Sequence, residues 1–170
     1  MDIDRENFFA APTLANEWVT LEPLSGEHAD ALAAAVGDLH ELWYQDHIPS
    51  ISEVPEYIER LLGEDNRVAW TIVNPDGTPV GVTTYLHLDP VNRNLEIGST
   101  WIGADFQGGA LNPAAKLLLL QRAFEDLRCL RVEIRTHYMN RQSRAAIEKV
   151  GAKLDGVLRR HTILCLLYTS

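Results

Sequence analysis

The sequence predicts one α/β domain, of the α+β kind, in which helices flank a central, mixed and mostly antiparallel sheet. Two helical segments precede a group of consecutive β-branched runs that are separated only by short turns. A single long helical segment then links two later strands, and such a crossover makes those two strands parallel. A chain of 170 residues is long enough for one core and short for two.

The first third of the chain predicts one strand and two helices. Residues 18–24 form a short apolar strand that ends near Pro23. Ser25 is a candidate N-cap for a helix that runs to about Leu39. Ser52 and the following acidic residue open a second helix, to about Gly63. The apolar face of this second helix contains Tyr57, Ile58, Leu61 and Leu62.

The middle of the chain predicts an antiparallel meander. Residues 68–73 and 80–88 are apolar and β-branched, and a turn of the Asn-Pro-Asp-Gly-Thr type separates them. A third strand, 95–102, follows another short turn. Strands joined in this way pair antiparallel with their neighbours in sequence.

The spacing of apolar residues changes in the last third of the chain. Asn112 and Pro113 are the expected cap and first residue of a helix that reaches Leu127. Its expected apolar stripe consists of Leu117, Leu120, Ala123, Phe124 and Leu127. A strand over 130–137, a helix from Asn140 to Gly151 and a strand over 154–164 complete the elements.

Composition excludes several classes of function. Cys129 and Cys165 form no metal-binding or disulfide pattern, and the six histidines lack metal-ligand spacing, so no metal is expected. No apolar run approaches the roughly 20 residues that span a bilayer. The first five residues are not those of a secretory signal, so we expect a cytoplasmic protein with no membrane partner.

Charge is distributed unevenly along the chain. The formal net charge is -9, which argues against a nucleic-acid partner. Residues 1–106 carry -15, whereas residues 107–170 carry +6. This distribution fits an anionic ligand held by the later part and a cationic substrate attracted to the earlier part, although it can also be accidental.

The segment Phe106–Pro113 is a candidate anion-binding turn. Two glycines lie between a strand and a helix, where successive backbone N–H groups can converge and the helix dipole adds positive potential. A Gly-Gly pair before a helix can also be only a turn. The motifs that bind nucleoside triphosphates or dinucleotides are absent from the sequence.

Asn140 and Ser143 are the second pair of candidates. Asn140 can cap the following helix, or its amide can bind a ligand amide beside the sheet. Ser143 shares a helical face with Ala146, Ile147 and Val150 and is expected to point inward. Its hydroxyl can serve a site or bond back to the preceding turn.

These segments together resemble the GNAT acetyltransferase superfamily, and more closely its RimJ/RimL-like branch. The resemblance spans about residues 18–161 and is sharpest at 95–98, 107–116, 131–133, 140–143 and 151–159. It implies acetyl-coenzyme A (acetyl-CoA) as co-substrate, a primary amine as acceptor, and direct acetyl transfer. Acceptors in this branch are protein N-termini and various small amines.

The resemblance also implies which residues hold the cofactor. Backbone contacts to the pyrophosphate are expected from Gln107, Gly108, Gly109, Ala110, Leu111 and Asn112. A pantetheine contact is expected from Asn140, and a strand N–H at Ile102 or Gly103 is expected to polarise the thioester carbonyl. Ala110 stands where the superfamily usually has glycine, and Asn112 where it often has Gly or Ala.

Two residues are candidates for proton transfer. Glu96 alternates with Leu95 and Ile97 on a central strand, where partial burial makes a carboxylate a stronger base; it can equally be a surface residue. Ser143 is the candidate acid toward the departing thiolate. Asp155 and His137 are reserve candidates for the base.

Two further functions stay open: a GNAT-like module that binds acyl-CoA without catalysis, and a purely structural domain. The acceptor cannot be identified from the sequence, although Trp43, Tyr44, His47 and Tyr57 are aromatic candidates for its pocket. We expect a monomer or homodimer. Residues 1–164 are expected to be the domain and residues 165–170 a non-native tail, since family members normally continue through further strands.

Overall fold

A computed structural model describes residues 4–42, 48–159 and 161, and the backbone of 163–164 and 167–168. The expected tail, 165–170, lies largely outside these residues. The α-helices are α1 Arg5–Phe8, α2 Ala29–Val36, α3 Val54–Gly63, α4 Leu111–Gln121 and α5 Arg141–Lys149. The strands are β1 Leu14–Ala15, β2 Thr20–Pro23, β3 Arg67–Val73, β4 Pro79–Asp89, β5 Asn94–Ile102, β6 Arg131–Ile134, β7 Ile163–Leu164 and β8 Leu167–Tyr168.

A six-stranded sheet in the order β1-β2-β3-β4-β5-β6 forms the centre of the molecule. The first four pairings are antiparallel and the last, β5 with β6, is parallel. The predicted mixed, mostly antiparallel sheet is therefore confirmed. The strand expected over 154–164 is wrong: residues 152–158 have no regular structure, and only β7 forms, paired with β8.

Two apolar layers cover the sheet. On one face, α4 packs on Leu95 and Ile97 of β5 and on Trp70 and Tyr85 of the meander. On the other face, α2 and α3 pack on Ala69, Val82 and Trp101. Leu95 and Ile97 point toward α4, so Glu96 between them points toward the face covered by α2 and α3.

Helical structure begins earlier than the sequence suggested, because a 3₁₀ turn over Ile51–Glu53 precedes α3. Ser50, rather than Ser52, caps this turn, and its N–H and hydroxyl both donate to the Glu53 carboxylate. Tyr57, Ile58 and Leu61 are buried as expected, whereas Leu62 is exposed.

The register of α4 also differs from the expected stripe. Ala115, Leu119, Ala123 and Leu127 are buried, while Leu117 and Phe124 are about half exposed. A π-helical turn over Arg122–Asp126 follows α4, with the Leu127 N–H donating to the Arg122 carbonyl. This turn adds a residue and rotates the apolar face.

Candidate functional site

The site lies where β5 and β6 separate. The two strands pair from Asn94 with Arg131 to Ile97 with Ile134, and β6 ends there while β5 continues to Ile102. The last part of β5 therefore has no sheet partner on this side among the described residues. We call this gap beside the last part of β5 the cleft.

Backbone alternation places the Ile102 N–H in the cleft. The Gly103 N–H donates to the Val80 carbonyl at 2.8 Å, and Ile102 is in register with Gly81. Since antiparallel pairs alternate between bonded and non-bonded, the Ile102 N–H points away from β4. Two backbone N–H groups were expected to polarise the thioester carbonyl. That of Ile102 faces the cleft, whereas that of Gly103 is bonded to β4.

The glycine-rich turn lies beyond the end of β5. Gly108 has a φ of 79°, a conformation that favours glycine. The backbone N–H groups of Gly108, Gly109 and Ala110 donate no hydrogen bond within the described part of the chain. Ala110 caps α4, which begins at Leu111, so the expected capping role of Asn112 is wrong. The first N–H groups of α4 have no intrahelical partners and converge with those of the turn.

Gln107 connects three parts of the site. Its side-chain Nε2 donates to the Ile102 carbonyl at 2.8 Å, and its Oε1 accepts from Gln142 of α5 at 3.4 Å. Its own N–H donates to the Ala104 carbonyl and is not directed at the turn. The end of β5, the turn and the start of α5 are thereby held together.

Asn140 caps α5 as the sequence predicted. Its Oδ1 accepts from the Ser143 N–H at 3.0 Å, and the residue is buried. The amide nitrogen of Asn140 makes no hydrogen bond within the described residues. Ser143 is half-buried, so its expected inward position is only partly reached.

Glu96 occupies the cleft's closed end, one residue before the last β5–β6 pair. It is 6% exposed. Its Oε2 lies 2.8 Å from His87 Nδ1 and 3.3 Å from Arg135 Nε. The alternative of a surface glutamate does not fit this burial. Beside it is a depression of about 530 Å³, lined in part by His87, Glu96, Glu133 and Arg135.

Two β-bulges shape this region, one between Leu86 and Asp89 of β4 and one between Gly98 and Trp101 of β5, and neither was predicted from the sequence. Leu86 pairs with Glu96 and Asp89 with Asn94, so β4 has an extra residue at His87–Leu88. His87 has a φ of 51°, and Ser99 in the second bulge has a φ of 48°. Bulges redirect side chains, and this one turns His87 toward Glu96.

The other candidates lie elsewhere. Tyr57 belongs to the core, where its hydroxyl accepts from Trp101 Nε1 and burial raises its pKa to about 12. Asp155 forms an exposed ion pair with Arg131. His137 Nδ1 accepts from the Met139 N–H. Trp43, Tyr44 and His47 lie outside the described residues.

Within the described part of the chain, no cluster of His, Cys, Asp and Glu is arranged to hold a metal ion. None of the described helices combines the length and apolar character needed to cross a bilayer.

The sheet is open, and its one parallel pair separates beside a glycine-rich helix start. The family model described as "Acetyltransferase (GNAT) domain" matches residues 19–153. The chain belongs to this family, and the resemblance seen in the sequence is confirmed.

Individual relatives agree with this assignment. "Putative ribosomal N-acetyltransferase YdaF" from Bacillus subtilis (strain 168) is 39% identical over 84 residues, which cover 49% of this chain and 45% of that protein. The chain thus spans less than half the length of this curated relative. A GCN5-related N-acetyltransferase from Brucella melitensis superposes with a TM-score of 0.87 at 25% identity, over 94% and 76% of the two chains.

A third protein shares the fold. RimL, a ribosomal L7/L12 alpha-N-protein acetyltransferase solved in complex with coenzyme A, superposes with a TM-score of 0.79 at 17% identity. The match covers 93% of each chain.

Proposed function

We propose that this protein transfers the acetyl group of acetyl-CoA to a primary amine. The observation that carries the proposal is the row of unpaired N–H groups at Gly108–Ala110, which lies at the open end of the β5–β6 cleft. Such a row binds phosphate, and the cleft beside it can take an extended arm that pairs with β5. Family membership and the coenzyme A complex of RimL support the same ligand.

The proposed reaction is direct attack. The amine nitrogen bonds to the thioester carbonyl carbon, the C–S bond breaks, and coenzyme A leaves as a thiolate. The Ile102 N–H stabilises the carbonyl oxygen as negative charge develops on it. Glu96 receives the proton that the amine loses, and Ser143 supplies a proton to the thiolate, directly or through water.

The acceptor is proposed to be a protein N-terminus or a small amine. The printed name of the Bacillus relative supports the first. The acidic residues 1–106 favour a cationic acceptor in either case. A cytoplasmic location fits the free and buried Cys129. We propose a monomer or homodimer.

The test is a substitution in the turn. Gly109 has no positive φ, and an added Cβ would meet nothing within 4 Å, so Gly109→Leu should fold normally. In the bound state that side chain occupies the path of the phosphates. We expect acetyl-CoA affinity, measured by calorimetry, to fall by about tenfold or more, since one lost charge-assisted bond suffices for this. Affinity of the unchanged protein should also fall with salt.

Gly156→Leu is the matched control, because Gly156 is also open and lies in the same basic part of the chain. Unchanged affinity in Gly109→Leu would mean that the turn is not the phosphate site. Mass spectrometry of an amine and peptide library incubated with acetyl-CoA then identifies the acceptor. Binding without any acetylated product would favour the non-catalytic module.

A further inference from the structure

Lys116 has a largely buried side chain for which the described residues provide no counter-charge. It lies on α4, is 6% exposed, and faces the sheet together with Leu119 and Ala123. Its ammonium makes no hydrogen bond or ion pair within the described residues. Partial desolvation of an unpaired ammonium is costly, so a bound anion beside Lys116 would be stabilising.

Asn112 supplies a second unpaired group on the same side of the helix. Its Oδ1 is buried and has no hydrogen-bond partner in the described part of the chain. Asn112 and Lys116 are four residues apart, so their side chains are neighbours on one helical face. Asn112 Oδ1 is thus a buried acceptor without a partner in the described part of the chain, on the helical face that also carries Lys116.

Helix geometry directs Lys116 toward the turn. Side chains on an α-helix lean toward its N-terminus, and four residues advance only about 6 Å along the axis. An extended lysine at position 116 therefore reaches the level of Asn112, where the unpaired N–H groups of the turn begin. By this geometry we expect the Lys116 ammonium to lie toward the start of α4.

Burial lowers the pKa of Lys116 to about 8, and no described charged group contributes to this shift. An anion placed beside the ammonium would reverse the shift, because it favours the charged form. The free protein consequently gains a proton when such an anion binds near pH 8.5.

We propose that Lys116 completes the coenzyme A site from the sheet side of α4, with its ammonium as the charged partner of the pyrophosphate and Asn112 Oδ1 holding that ammonium in place. The inference rests on the proposed function. It assigns to the binding site two side chains beyond the backbone groups of the turn. The orphaned donor and acceptor are then both satisfied in the bound state.

Lys116→Met tests the proposal, because it keeps the length of the side chain and removes its charge. We expect the affinity for acetyl-CoA to fall by about 10- to 100-fold, the range of a charge-assisted hydrogen bond. The affinity for ADP, which carries the same pyrophosphate, should fall in parallel. The free variant should resist urea better than the unchanged protein, since an unpaired buried charge is gone. A merely structural lysine would instead lower stability when replaced.

Lys149→Met is the matched control, because Lys149 is an exposed helix residue of the same basic part. It should change neither stability nor affinity appreciably. Equal acetyl-CoA affinity in Lys116→Met and the unchanged protein would overturn the role of Lys116 while leaving the proposed function intact. Absence of acetyl-CoA binding by the unchanged protein would overturn the proposed function itself.

A second measurement needs no variant. Calorimetry of acetyl-CoA binding at pH 8.5 in two buffers of different ionisation enthalpy reports the protons taken up. Acetyl-CoA has no free thiol that titrates in this range. We expect uptake of a substantial fraction of one proton, and its absence would overturn the proposal even if Lys116→Met failed to fold.

Discussion

At the scale of single residues, Glu96 shows how the sheet prepares a carboxylate for chemistry. One oxygen is held by His87 from β4 and by Arg135 beyond β6. The bulge at His87 has a conformation that is uncommon for residues other than glycine, and such strain often occurs at functional sites. These contacts keep the carboxylate oriented toward the depression beside it.

Glu96→Gln should slow acetylation far more than it weakens acetyl-CoA binding. Glutamine retains an oxygen that accepts from His87 and Arg135, so the fold should persist, but it cannot take the proton. Losing general-base assistance costs about 10²–10⁴-fold in rate. The pH profile of kcat/KM and calorimetric affinity check this. Glu133→Gln, in register on β6, is the control.

An unchanged rate and an unchanged acidic limb in Glu96→Gln would remove Glu96 from the mechanism. The assignment would then pass to Asp155, to His137, or to solvent acting on an already neutral amine.

Lys116 should also make the free energy of unfolding depend on pH. Below about pH 8 it is protonated in both states, and its burial penalty is present in full. Above pH 8 the folded chain releases the proton while the unfolded chain keeps it, so the free energy of unfolding rises. Cys129 has the opposite effect at higher pH, because burial raises its pKa to about 11. Above the ordinary pKa of a cysteine thiol, the unfolded chain loses this proton first, so the free energy of unfolding falls.

Urea unfolding between pH 7 and 10 measures this dependence. We expect a gain of about 1 kcal/mol from pH 8 to 9 that is absent in Lys116→Met, since one proton is worth at most about 1.4 kcal/mol per pH unit. If the free energy of unfolding depends on pH in the same way in both proteins, the lowered pKa of Lys116 is contradicted.

At the scale of elements, the sequence predicted the meander well and the last third less well. Strands β3, β4 and β5 have β-branched runs bounded by turn residues, and local signals of this kind fix both element type and pairing. Helix α4 contains four consecutive leucines, Leu117–Leu120, so its pattern allows several buried faces. The small residues Ala115 and Ala123 and the π-turn determine the actual face.

The candidate site divides in the same way. The turn and the cap at Asn140 follow from local sequence and were predicted, and their roles toward coenzyme A stay predictions. The contacts of Glu96 depend on a bulge at His87, and nothing in that residue type signals a left-handed conformation strongly enough. Lys116 was missed because a charged residue in a helix is expected to face solvent.

At the scale of the whole molecule, the parallel pairing of β5 with β6 has a consequence for folding. The antiparallel strands of the meander close through short turns, whereas the whole of α4 lies between Asn94 and Arg131 in the chain. β6 is an edge strand of the six-stranded sheet, and the margins of a fold open locally more readily than its centre. We therefore expect β6 to detach while the meander stays intact.

Amide hydrogen exchange measures how readily β6 and the meander open. The N–H groups of Val132 and Ile134 should exchange faster than those of Trp70 and Ile72, which lie in the middle of the sheet. Acetyl-CoA, by bridging β5 and α5, should slow exchange in β6 and leave the meander nearly unchanged. Uniform exchange across both regions would mean that the sheet opens as one unit. If β6 opens separately from the meander, the ligand stabilises one cooperative unit of the protein and leaves the other unchanged.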